Sequence, residues 1–163
     1  MSQEERFGQR ELVYSAWHRR NSTRRYIGIE KAQLLAMIDM DASVYIEYDD
    51  GTKDPIALIE TARDIGQSHK AATVTLKLAK RANLPCFVVL YTPATTQNPA
   101  DPTWRDIASF RVKRLHPEEE RAWRILTPRQ WAECLLSMRQ WKAQQVDAEF
   151  ELFSDFTAAN AAD

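Results

Sequence analysis

Glycine is scarce in this chain. Only Gly8, Gly28, Gly51 and Gly66 occur among 163 residues, and their spacing matches no phosphate-cradling loop. Nucleotide-binding glycine motifs are therefore excluded. His18, His69 and His116 lie far apart and the two cysteines are isolated, so no zinc spacing is present. Without a Gly-x-Ser-x-Gly turn, serine hydrolase logic has no anchor. No apolar run approaches the ~20 residues a membrane helix needs. Cys86 and Cys134 sit in apolar segments and are expected as buried thiols rather than a disulfide. The segment Met1-Ser2-Gln3-Glu4-Glu5-Arg6 has no apolar stretch of the secretory kind, and a cytoplasmic protein is expected.

What is present is an ordinary globular composition, 44% hydrophobic and 28% charged, long enough to bury a core. A single α/β domain over residues 1–142 is expected, followed by an acidic, loosely ordered tail over 143–163. The net charge is −1, yet it is unevenly spread. Arg19, Arg20, Arg24 and Arg25 form one basic cluster, and Lys70, Lys77, Lys80 and Arg81 a second. Residues 143–163 hold no basic side chain but carry Asp147, Glu149, Glu151, Asp155 and Asp163. Local basic patches can bind phosphate even on a near-neutral molecule, and they also make ordinary solvated surface.

Hydrophobic periodicity predicts a helix over 4–20 and strands over 33–38, 44–48 and 55–60. Asp50-Gly51 joins the last two as a hairpin, and Pro55 falls at a strand start. A helix over 68–82 follows, with Ala71, Val74, Leu78 and Ala82 as its expected inner stripe and Asn83 as its cap. The unbroken apolar run 86–91 predicts a central strand, parallel to its predecessor across the helical crossover. A polar loop over 93–102 then leads to an alternating, edge-type strand over 108–115. Thr127-Pro128-Arg129-Gln130 is a capping box that opens a helix to about Trp141. The fold class is a mixed central sheet with helices on both faces, in the order α-β-β-β-α-β-β-α.

Carboxylates at strand ends carry the chemistry that remains. Glu60 closes the apolar run Pro55-Ile56-Ala57-Leu58-Ile59, and Asp39 and Asp41 precede the strand expected to pair with it. A hairpin can bring Asp41 and Glu60 together, and Glu11 on the first helix can supply a third oxygen ligand. Mg²⁺ takes such a set, usually one or two carboxylates plus water. Lys70 can orient a water or stabilise charge on a transferring phosphoryl group. Each also has an ordinary role: Asp39 and Asp41 as turn residues, Glu60 as a cap or a partner of Arg63 or Lys70, Glu11 and Lys70 as solvated surface.

The set resembles the PD-(D/E)XK nuclease superfamily, over about residues 11–91. Asp41 matches the first motif acid, though no proline precedes it. Ala57-Leu58-Ile59-Glu60-Thr61-Ala62 matches the motif strand, with Glu60 as its acid and Ala62 where the lysine stands. Some members supply that lysine from the following helix, which would make Lys70 the replacement with Gln67 beside it. Arg63 is a weaker substitute. The resemblance implies a restriction-endonuclease-like fold that hydrolyses DNA phosphodiesters. Asp41, Glu60 and Glu11 would hold Mg²⁺ or Mn²⁺, and Lys70 would act on water. Arg19, Arg20, Arg24 and Arg25 would contact the backbone in a salt-dependent way.

Nucleases of this size often dimerise, and Trp131, Met138 and Trp141 offer an apolar surface for a homodimer or for core packing. Two other readings stay open. One is an inactive nuclease-like fold that binds DNA or protein, as a regulator of phage or prophage type. The other is an interaction protein whose tail, with Phe150, Phe153 and Phe156, docks on a basic partner.

Overall fold

A computed structural model describes Val13, Trp17 and residues 24–35 and 40–160, with side chains through Glu149. The chain divides into two units, Met1–Asp39 and Met40–Asp163. In the first, Val13 and Trp17 are helical, while the rest of the helix expected over 4–20 lies outside the described residues. Two short helices follow, α1 (Arg24–Ile27) and α2 (Ile29–Gln33). Gly28 separates them at φ 83°, a backbone region that favours glycine. The strand expected from residue 33 is corrected at its start. Gln33 ends α2, and the Leu34 and Leu35 amides bond back to Lys31 and Ala32 carbonyls. A short apolar run suits a helix end as well as a strand, and periodicity alone does not separate them.

The second unit is mixed α/β. Five strands, β1 (Ala42–Glu47), β2 (Lys53–Arg63), β3 (Cys86–Gln97), β4 (Arg105–His116) and β5 (Arg124–Leu126), lie in the sheet order β1-β2-β3-β4-β5. The β1–β2 hairpin closes where expected. The Gly51 amide donates to the Tyr48 carbonyl at 2.9 Å, with Gly51 at φ 81°. Pro55 pairs with Tyr45 at a register shift, where a missing N–H is tolerated. β2 and β3 run parallel and the other pairs antiparallel. β3 is longer than expected and takes in Pro93 through Gln97, part of the predicted loop. The alternating strand is not an edge: β5, three residues long and unforeseen, pairs outside it.

A helix covers each face. The helix α3 (Thr73–Ala82) packs its buried Ala79 with Leu58 and Cys86. It starts five residues later than expected, and its inner stripe is rotated by about one residue. Ala72, Thr75 and Ala79 are buried, whereas Val74 and Leu78 are 43% and 40% exposed. Asn83 caps it in the left-handed conformation, φ 53° and ψ 45°. The opposite face carries Ala57, Ile59, Phe87, Val89 and Val112 under Trp131 of the helix α4 (Pro128–Asn160). Trp131 meets Phe87 edge-on, centroids 6.3 Å apart, which makes it core of this chain rather than free surface. Met138 packs beside it, while Trp141 stays half exposed.

The capping box forms reciprocally. The Thr127 amide donates to Gln130 Oε1 at 2.9 Å, and the Gln130 amide to Thr127 Oγ1 at 3.2 Å. α4 does not stop near Trp141 but continues to Asn160, so the loosely ordered tail expected from 143 is helical to that residue. Alanine and glutamate favour helix intrinsically, which outweighs the segment's lack of a clear apolar stripe. The side chains of Phe150, Phe153 and Phe156 lie outside the described residues. Cys86 and Cys134 are free thiols in clusters on opposite faces, Cys86 buried and Cys134 only half-buried. Among the described residues, no helix is long and apolar enough to cross a membrane.

Candidate active site

On the α3 face of the sheet, side chains from four consecutive pieces of chain converge. Glu60 lies in the buried middle of β2, paired in register with Val88. Leu58 beside it on that face is core, and Glu60 occupies the next inward position with 5% exposure. A carboxylate so buried needs partners to offset its lost hydration. Among the described residues, Thr75 Oγ1 of α3 donates to Oε1, and Lys70 Nζ donates to Oε2 at 2.7 Å. The rotation of the α3 stripe is thereby explained, since a threonine faces inward where Glu60 requires a hydroxyl.

Asp41 stands immediately before β1. The Thr61 amide points to the β1 side of β2, past the end of that strand, and donates to Asp41 Oδ2 at 2.7 Å. The same oxygen accepts Lys70 Nζ at 2.9 Å. One ammonium thus bridges two carboxylates that are nineteen residues apart in sequence. Partial burial pushes the Asp41 carboxyl upward, but the Thr61 amide and Lys70 outweigh it and hold it below the ordinary carboxylate value. Burial likewise pushes Lys70 down, and hydrogen bonds and charge from Glu60 and Asp41 outweigh it, so the ammonium is held above its ordinary value. Burial, with the Glu60 charge, raises the neighbouring Cys86 thiol to about 11, which leaves it protonated and inert at neutral pH.

Lys70 belongs not to the helix but to the stretch before it. Arg111 of β4 anchors that stretch with a two-pronged bond to Asp64, 2.9 and 2.8 Å, and a third to the Gln67 carbonyl at 2.6 Å. Its guanidinium lies 4.8 Å from the Trp123 ring, whose Nε1 donates to the Ser68 carbonyl. Gln67 ties the turn internally, accepting from the Ile65 amide and donating to the Arg63 carbonyl. Arg111→Lys breaks the two-pronged geometry. It is expected to lower stability by about 1–2 kcal/mol in urea unfolding. It should also speed amide hydrogen exchange across residues 64–72 with little change in the α4 face.

Of the residues singled out in the sequence, Asp41, Glu60 and Lys70 are brought together. Arg63 is exposed and Gln67 serves the turn. Glu11, Asp39, Arg19 and Arg20 lie outside the described residues. Arg24 and Arg25 are exposed on α1 of the first unit, Arg25 5.4 Å from the Tyr26 ring. Thr75, Thr61, Arg111 and Trp123 went unrecognised. Among the described residues, no group of three or more His, Cys, Asp and Glu side chains is placed to share a metal ion. Two carboxylates converging on one cationic centre are nonetheless the hard-oxygen donors that Mg²⁺ or Mn²⁺ takes alongside water, so Asp41 and Glu60 fit such an ion. No protein-family model, no curated protein and no solved structure matches this chain.

Proposed function

We propose that this chain is a metal-dependent phosphodiester hydrolase of the PD-(D/E)XK type acting on DNA. The observation that carries the reading is the Lys70 ammonium held between Asp41 and Glu60, at 2.9 and 2.7 Å. The order of hairpin, helix and parallel strand, with one acid at the start of β1 and the other within β2, supports a restriction-endonuclease-like core. Ala62 occupies the motif's lysine position, and Lys70 brings an ammonium to the acids from the stretch before α3.

Asp41 and Glu60 would hold Mg²⁺ or Mn²⁺, which lowers the pKa of bound water and offsets charge on the scissile phosphate. Thr75 and the Thr61 amide orient those two carboxylates. Lys70 keeps about a fifth of its side chain in solvent. From there its flexible stem turns the ammonium to the attacking water or a phosphate oxygen. The test is incubation of the purified chain with plasmid, linear and branched DNA in Mg²⁺ or Mn²⁺, against an EDTA control. Metal-dependent cleavage supports the reading.

A second reading, a binding protein on the same scaffold, draws on that same bridge, because an ammonium already occupies the position between both acids and offsets part of their charge. Folded protein that cuts none of these substrates but retains one of them favours it.

A further inference from the structure

We propose that the cleft between α3 and β4 grips the phosphodiester backbone of the substrate strand, with Lys77, Lys80 and Lys113 as its cations and Glu119 as a carboxylate that the strand displaces. This rests on the reading above and assigns that site its substrate grip.

The cleft has a volume of about 300 Å³ and shares Lys70 with the Asp41–Lys70–Glu60 bridge, so a strand lying in it meets the ammonium that both carboxylates hold. Lys77 and Lys80 are one helical turn apart on α3, and Lys113 faces them from β4. Among the described residues, neither Lys77 nor Lys80 has a salt bridge, whereas Lys70 is already bridged to two acids. Among the described residues, Glu119 is the single carboxylate on the cleft wall, bonded to Lys113 Nζ at 2.8 Å with 63% of its side chain exposed. Three lysines against one glutamate leave a local excess of positive charge on a chain whose net charge is −1. Glu119 holds its lysine through a solvent-exposed ion pair, which is weak and easily exchanged for phosphate. The lysines recognise phosphate whatever the base, so the grip is general for sequence.

The test uses the full chain carrying Glu60→Gln and a labelled oligonucleotide in EDTA, with affinity followed across salt concentrations. Lys77→Ala/Lys80→Ala is expected to lower affinity about tenfold or more. It should also flatten the plot of log affinity against log salt by about 1.5, the share of two phosphate contacts. Glu119→Gln should tighten binding several-fold. Glu118→Gln removes the same charge one residue away and should not, because Glu118 does not line the cleft and, among the described residues, its bond is the one its carbonyl accepts from Arg114. All four residues are exposed, so each variant is expected to unfold at the wild-type temperature.

Unchanged affinity and slope in the lysine variant, or equal behaviour of the two glutamate variants, overturns the proposal. So does inorganic phosphate that binds through these lysines while the oligonucleotide does not. The fate of the hydrolase reading is separable. Binding that depends on the lysines, without cleavage by the wild-type chain, removes the hydrolase and keeps the cleft. Cleavage that is indifferent to Lys77 and Lys80 removes the cleft alone.

Discussion

Glu60→Gln is expected to lower metal-dependent DNA cleavage by at least about a hundredfold while the chain remains folded. The amide keeps the volume of the side chain and an oxygen for the Thr75 hydroxyl, so the buried position stays filled and bonded. What it loses is the negative charge that a hard cation requires. Lys70 retains Asp41 as its partner. The measurement is initial cleavage rate in Mg²⁺, with the unfolding temperature of the same preparation as control. A rate equal to wild type places the reaction away from Glu60 and ends the present reading. A loss of activity accompanied by collapse of the unfolding transition would report only a structural carboxylate, and Asp41→Asn, at a more exposed position, then decides.

Lys70→Met should cost both activity and stability, and the second cost carries a pH signature. In the wild-type chain the Asp41 carboxyl is held low and the Lys70 ammonium high. Asp41 therefore contributes stability above its unfolded pKa near 3.8, lost as pH falls through the lower folded value. Lys70 contributes below its unfolded pKa near 10.5, lost as pH rises through the higher folded value. The bridge is at full strength between about pH 4 and pH 10. In Lys70→Met, buried Glu60 faces Asp41 with no counter-charge, which destabilises the folded chain while both carboxylates are ionised. The variant should lose about 2 kcal/mol at pH 7. That is less than the ~3–5 kcal/mol of a fully buried pair, because the site is partly open to solvent. The deficit should shrink below about pH 4, as the Asp41 contribution is lost from the wild-type chain. Urea unfolding at pH 7 and at about pH 3 measures it, and a deficit independent of pH would show that the ammonium does not stabilise the Asp41 carboxylate. Mg²⁺ should raise the unfolding temperature of the variant more than that of the wild type, and cleavage should fall at least about a hundredfold.

Asp41, Glu60 and Lys70 were legible because each is out of place in the sequence, an acid before a hairpin, a carboxylate closing an apolar run and a cation near the start of an expected helix, although β2 runs on past Glu60 and α3 begins only at Thr73. Their supports were not. Thr75 reads as an outward position of an amphipathic helix, since polarity assigns threonine to solvent. Only the buried Glu60 opposite it reverses that assignment. Taking Val74 and Leu78 as the inner stripe therefore turned the helix away from its own site. Arg111 and Trp123 were missed because β5 is three residues long and leaves no periodic signal. Without it β4 looks like an exposed edge, and an arginine on an exposed edge needs no partner. The hairpin turn, the Asn83 cap, the parallel crossover and the capping box were all read correctly, since each depends on a few adjacent residues. The extension of α4 was missed for the opposite reason, because propensity spread over many residues outweighed the absence of any single signal.

The anchoring of the Lys70 stretch by Arg111 and Trp123 also sets a timetable. Every chemical group of the triad and its threonines falls between residues 41 and 75, whereas the two side chains that fix their geometry arrive at 111 and 123. At translation rates of roughly 5–20 residues per second, some seconds pass between the synthesis of the bridged acids and ammonium and that of their frame. A growing chain therefore carries the two acids and the ammonium before the side chains that hold the Lys70 stretch have been made, and Trp123, beyond β4, is the later of these to arrive.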